Sequence, residues 1–206
     1  MKLEKKLIDV PGQIGLIEAR VQLQSKENAK AWVVISHPHP LYGGTMNNKV
    51  VTTLERAFAA KGYNTVAYNF RGVGKSVGEY DGGVGEQQDL LSVINWINTH
   101  HATDKLILAG FSFGSYVSLM ALKQSMAHEI CTVAPPVGLY DLSGIESVDV
   151  PWVLIQGGQD EVVCAKEILA WAMQQNKVPD VYWRDQASHF FHGELVWLRK
   201  VIEASY

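Results

Sequence analysis

Short apolar runs alternate with helix-period segments along almost the whole chain, and this alternation limits the possible folds more than any other feature. Strand-like runs fall at 5–10, 14–24, Ala31 to Ser36, Asn64 to Asn69, Lys105 to Ala109, Ile130 to Val133, Trp152 to Gln156 and Asp180 to Arg184. Helical patterns occupy about 48–61, 86–100, 113–124, 164–176 and 192–204. In the last of these, Leu195, Leu198 and Ile202 mark one face while Glu194, Arg199, Lys200 and Glu203 lie outside it. Several strand runs are apolar throughout rather than alternating, as expected of strands covered on both faces. The pattern predicts an α/β fold: a mostly parallel eight-stranded sheet flanked by about five helices, opened by an antiparallel hairpin around Pro11-Gly12. One domain spanning 1–206 is expected, since a chain of this length buries about 70% of its unfolded surface in a single core.

Composition narrows the function classes. With a net charge of -3 and no basic stripe, neither nucleic acid nor an anionic membrane is an expected partner, which leaves small molecules. The opening Met1-Lys2-Leu3-Glu4-Lys5-Lys6-Leu7 is charged and lacks a signal-like apolar stretch, and no run approaches 18 apolar residues. Two cysteines, Cys131 and Cys164, do not make a disulfide framework, so a reducing, cytoplasmic setting is expected. There is no internal repeat and no low-complexity segment.

Gly110-Phe111-Ser112-Phe113-Gly114 joins the apolar run Leu106-Ile107-Leu108-Ala109 to a nearly all-apolar helical segment. A serine between two glycines at such a junction is the pattern of a sharp strand-to-helix turn that exposes a nucleophile. The helix start aims its free N–H groups and partial positive charge at whatever Ser112 attacks. A serine hydroxyl needs a base. His189, in Gln186-Ala187-Ser188-His189-Phe190-Phe191 just beyond the last strand, is the preferred candidate, with His192 as rival and helix cap. A carboxylate must then fix the imidazole tautomer. Asp160, in Gln156-Gly157-Gly158-Gln159-Asp160-Glu161 after the seventh strand, is best placed, with Glu161, Asp141 and Asp185 as fallbacks.

The order Ser, Asp, His, together with three further motifs, carries a resemblance. His37-Pro38-His39-Pro40 followed by Gly43-Gly44, the loop Phe70-Arg71-Gly72-Val73-Gly74-Lys75-Ser76, and His189-Phe190-Phe191-His192-Gly193 make the chain similar to the small lidless bacterial α/β-hydrolases over nearly its whole length. That resemblance implies the α/β-hydrolase fold without a cap domain and a serine-hydrolase site at Ser112, Asp160 and His189. It also implies an oxyanion hole made by the backbone N–H of Phe113 and one from the His37–Gly44 loop. Pro38 and Pro40 have no N–H, which leaves His39, Leu41 or Tyr42.

Other motifs are given plainer readings. His37-Pro38-His39 lacks the further ligands of a metal site, so no metal is expected and a loop-shaping role is. Gly72-Val73-Gly74-Lys75-Ser76 fails the spacing of a phosphate loop, and Arg71 is expected to anchor it as a tight turn. Trp96, Trp171 and Trp197 are read as packing. Only residues 134–150 separate the sixth and seventh strands, too few for a helical cap, so the mouth should be open, rimmed by Pro135, Pro136, Leu139, Tyr140, Tyr42 and Phe111. The expected activity is hydrolysis of a small carboxylic ester or thioester through an acyl-enzyme on Ser112, without a cofactor, by a monomer or homodimer. An acyl-CoA-type thioesterase, a peptidase with the same residues, and a catalytically idle binding protein are the alternatives.

Overall fold

In the computed structural model, residues 5–24, 31–145 and 147–206 are described; the first four residues of the charged opening lie outside them. The strands are β1 (Lys5–Pro11), β2 (Leu16–Gln22), β3 (Trp32–Ser36), β4 (Asn64–Tyr68), β5 (Leu106–Phe111), β6 (Glu129–Val133), β7 (Trp152–Gly157) and β8 (Asp180–Arg184). They form one sheet in the order β1-β2-β4-β3-β5-β6-β7-β8. The expected hairpin is present, Val10 lying opposite Ile17, and β2 also runs antiparallel to β4. From β4 to β8 every neighbour is parallel. All parallel crossovers therefore deliver their following loops to one edge of the sheet, where ligands bind in open α/β sheets.

Helices α1 (Lys49–Ala60), α2 (Val84–His100), α3 (Phe113–Met120), α4 (Leu122–Ser125), α5 (Ala165–Met173) and α6 (Leu195–Ser205) connect or follow the strands. Two separate cores show how they cover the sheet. Val34, Leu108 and Leu154 pack with Leu90, Val93, Val117 and Ile168 from α2, α3 and α5. Their strand neighbours Val33, Ile35, Ile107 and Ile155 point the other way, into a core with Leu54 and Phe58 of α1 and Leu198 and Ile202 of α6. Strands buried on both sides read as apolar runs for this reason.

Among the helix boundaries that differ from the sequence expectation, two lie in the segments that follow Ser112 and His189. The segment 113–124 breaks at Ala121 into α3 and α4. The last helix starts at Leu195 rather than 192, because Phe191 (φ 53°) and Gly193 (φ 79°) hold left-handed backbone that no right-handed helix includes. The residues 189–194 thus form a turn at the ligand edge. Between β6 and β7 no helix occurs among the described residues. None of the described helices is long and apolar enough to cross a membrane.

Candidate active site

The turn after β5 is built on close approach. A Cβ at Gly110 would run into the carbonyl of Gly114, and one at Gly114 would strike the carbonyl of Ser36 at the end of β3. Only glycine lets α3 start so near the strand ends. Ser112 itself adopts φ 53°, ψ -118°, a conformation costing about 1–3 kcal/mol for a side-chain-bearing residue. Its N–H donates to the Val133 carbonyl (2.8 Å), and the Ser115 hydroxyl, donating to the Gly110 carbonyl (2.7 Å) and accepting from the Val133 N–H (3.2 Å), ties the turn to β6. Ser115 was not singled out in the sequence, where it looks like any small helix residue.

His189 comes to this turn from the loop after β8. Its Nε2 lies 3.1 Å from Ser112 Oγ, and its Nδ1 lies 2.9 Å from Asp160 Oδ2. Both side chains of the His189–Asp160 pair are almost completely buried, at 3% and 0% exposure. Burial pushes the Asp160 carboxyl up, but the hydrogen bond and charge of His189 and the N–H groups of Val163 and Val162 outweigh it and hold it below its usual range. Glu161, a fallback for the same role, instead accepts the backbone N–H of His189 (2.9 Å). Adjacent carboxylates thereby grip one histidine at its ring and at its backbone. The remaining alternatives lie elsewhere: Asp141 accepts from the Ser143 N–H, Asp185 from the Trp183 indole, and His192 is exposed and stacked on Phe190.

The opposite wall is the loop after β3. Leu41 N–H donates to the His39 ring (3.2 Å), Tyr42 and Gly44 N–H to the His39 carbonyl (3.2 and 3.0 Å), and Gly43 N–H to the Pro40 carbonyl (3.2 Å). Leu41 is thus corrected as an oxyanion candidate: its N–H is already engaged by a turn of 3-10 helix at Pro40–Tyr42. Among the described residues, the N–H groups of His39 and Phe113 donate to no protein acceptor. Anchoring this loop is His37, wholly buried, whose Nδ1–H donates to the Pro38 carbonyl (2.6 Å) while Nε2 accepts the Phe70 N–H (3.0 Å). Burial drives its pKa from 6.5 down to about 4, against the bond to Pro38 and with a small push from His39. Arg71, as expected, anchors the next loop, through a buried bidentate pairing with Asp89 (2.9 Å).

Between the walls is a cleft of about 290 Å³ lined by Pro38, His39, Tyr42, Gly43, Gly44, Asn48, Ser112, Val162, His189 and Phe190. Of the expected rim only Tyr42 lines it. Phe111 is completely buried behind His189 (ring centroids 5.1 Å), since it still belongs to β5. Leu139 is exposed away from the cleft, and Tyr140 stacks on Tyr116 within an aromatic cluster behind the loop. Among the described residues no three His, Cys, Asp or Glu side chains converge to hold a metal ion.

The sequence model of the X-Pro dipeptidyl-peptidase (S15 family) matches residues 16–144. The chain belongs to the S15 family. That match takes in Ser112 and the His37–Gly44 loop and stops short of Asp160 and His189. Other similarities of this S15-family chain extend further. The uncharacterized protein RP471 of Rickettsia prowazekii is 37% identical over 163 residues, 76% of this chain and 68% of that protein. The structure of an α/β serine hydrolase homologue from Coxiella burnetii superposes with a TM-score of 0.92 at 41% identity, covering 100% of this chain and 98% of that one. XC6422 from Xanthomonas campestris, an α/β serine hydrolase without lid, gives 0.91 at 36% identity, covering 99% and 94%. This S15-family chain is a lidless α/β serine hydrolase in fold and class.

Proposed function

We propose that the protein hydrolyses small carboxylic esters or thioesters through an acyl-enzyme on Ser112. The observation that carries this reading is the continuous hydrogen-bonded series from Ser112 Oγ through the His189 ring to Asp160, at 3.1 and 2.9 Å. An ionised Asp160 only accepts, so Nδ1 bears the ring proton and the Nε2 lone pair faces the serine hydroxyl. That is the tautomer of a general base. Ser112 Oγ attacks the acyl carbon as Nε2 takes its proton. The carbonyl oxygen becomes negative beside the N–H groups of Phe113 and His39, neither of which donates to a protein acceptor among the described residues. When the intermediate collapses, His189 returns the proton to the departing alcohol or thiol, and water repeats the sequence to release the acid. Asp160 remains ionised throughout and stabilises the imidazolium.

The small cleft and the absence of a helix among the described residues of the β6–β7 connection support a compact substrate, held between Tyr42 on one wall and Phe190 on the other. Free Cys131 and Cys164 support a cytoplasmic setting. The family match favours a second reading, release of an X-Pro dipeptide by the same residues.

A fluorophosphonate probe tests the nucleophile: it labels native protein and leaves Ser112→Ala unlabelled. Labelling that persists in the variant overturns the assignment, and no labelling of native protein favours an idle binding protein. Rates on a short aryl ester, its matched thioester and an X-Pro aryl amide then separate esterase, thioesterase and peptidase.

A further inference from the structure

Strand β7 reads Trp152-Val153-Leu154-Ile155-Gln156-Gly157 and is buried along its whole length, yet its fifth residue is a glutamine at 1% exposure. The Gln156 amide nitrogen donates to Asp160 Oδ2 (3.0 Å) and to the Gly157 carbonyl (3.0 Å). Both partners are acceptors only, so the NH2 and not the oxygen must face them. The other half of the amide, Oε1, is buried without a partner among the described residues. An orphaned buried acceptor destabilises a fold, and native proteins tolerate one where function requires it. The oxygen that Gln156 engages is the same one that lies 2.9 Å from His189 Nδ1. Apart from Gln156 and His189, no side chain donates to Asp160 among the described residues; Val162 and Val163 use their backbones and bond to Oδ1.

We propose that Gln156 is a positioning residue, whose amide fixes the Asp160 carboxylate in the plane and rotation that His189 requires. This rests on the esterase reading above. It explains why an apolar strand carries one polar residue at its ligand edge and why half of that residue's hydrogen-bonding capacity is left unused.

Gln156→Met tests it, because methionine has nearly the same length and no N–H or C=O. The expected result is a fall in kcat of about tenfold, the size of one lost hydrogen bond to a charged group, with KM nearly unchanged. With one donor fewer, Asp160 accepts more strongly from the imidazolium, so the acid limb of the kcat/KM profile moves to higher pH. The titratable groups facing His189 are Asp160 and Glu161 after β7 and His39 across the cleft, and none of them changes in this variant. The melting temperature should hold or rise, since the orphaned oxygen is removed as well. A purely structural role predicts the reverse, lower melting with kcat per folded molecule preserved and the limb unmoved, and that outcome overturns the proposal.

Gln156→Glu offers a second reading of the same contact. Its protonated carboxyl can donate to Asp160 and its ionised form repels it, so activity should fall with rising pH where the native enzyme's does not. A pH profile identical to native overturns the proposal. If native protein is not labelled by the fluorophosphonate, the esterase reading fails by itself. The downfield Nδ1–H proton resonance of His189 still reports whether Gln156→Met loosens the pair, and an unchanged resonance counts against the proposal.

Discussion

Each wall of the cleft is organised by a nearly inaccessible histidine, and the two histidines have been given opposite tasks by their partners. His37, in the loop after β3, sits between a carbonyl at Nδ1 and a backbone N–H at Nε2. Burial outweighs the Pro38 carbonyl, which favours a positive charge, and lowers its pKa to about 4. His189, in the loop after β8, has a carboxylate at Nδ1 and a hydroxyl at Nε2. A charge arriving on that ring meets Asp160. Burial alone turns a histidine into a neutral brace; burial beside an ionised carboxylate prepares it to take up a proton.

Removing the charge from the second wall should have the largest effect. Asp160→Asn lets the amide present its N–H to the ring and favours the wrong tautomer, so kcat should fall by about 10⁴ while the fold persists, as judged by unfolding curves. A loss under tenfold would mean that Glu161 or another group supplies the missing charge. The comparison would then lose its basis.

On the first wall the corresponding test removes a single N–H. His39 has φ -52°, within the range proline adopts, so His39→Pro deletes the proposed oxyanion donor with little change of backbone shape. The expected loss in kcat is about 10²–10³. His39→Ala keeps the N–H and should lose only a few-fold, through the contacts of its ring with Tyr42 and Phe113. Equal losses in the two variants would move the role to the side chain.

The brace itself has a pH signature. In the unfolded chain His37 takes a proton near pH 6.5, in the fold only near 4, so between these values the unfolded state holds more protons. Stability is therefore full above pH 6.5 and falls as pH drops toward 4, by about 3 kcal/mol from this group. The depressed Asp160 acts with the same sign at still lower pH. His37→Gln should flatten the pH 4–6.5 part of the stability curve measured by urea unfolding.

How much of this was legible in the sequence follows from what each residue's role depends on. The convergence of Ser112, Asp160 and His189 was readable because each sits in a loop just past a strand, and a parallel sheet sends such loops to one edge. The Gly110 and Gly114 pattern was readable because it reflects a steric requirement local to five residues. His37 could be assigned a shaping role but not its partner, since Phe70 is brought to it only by the pairing of β3 with β4. Choosing among the N–H groups of the His37–Gly44 loop required the turn geometry that engages Leu41, Tyr42, Gly43 and Gly44. The rim was the poorest reading. An aromatic residue beside a site can equally pack behind it, and Phe111 does so because β5 runs two residues beyond the Ala109 at which the apolar run was expected to end.

The smallest predicted effects concern that rim, and they compare the two walls directly. Tyr42 is 87% exposed, so truncating it removes no core packing, and its ring faces the cleft from the first wall. Phe190, at the second wall, meets the His189 ring edge to face at 5.1 Å. If a substrate group is held between them, Tyr42→Ala and Phe190→Ala should each raise KM by about two- to tenfold, the size of one aromatic contact, with kcat nearly unchanged for Tyr42→Ala. The double variant should lose less than the product of the two, because one ring alone no longer fixes the substrate. Leu139→Ala is the control, an exposed apolar residue outside the cleft that should leave KM as it is. Should Leu139→Ala raise KM as much as Tyr42→Ala, the substrate reaches beyond the cleft toward the β6–β7 connection, and its size must be larger than the space between the two histidine-braced walls admits.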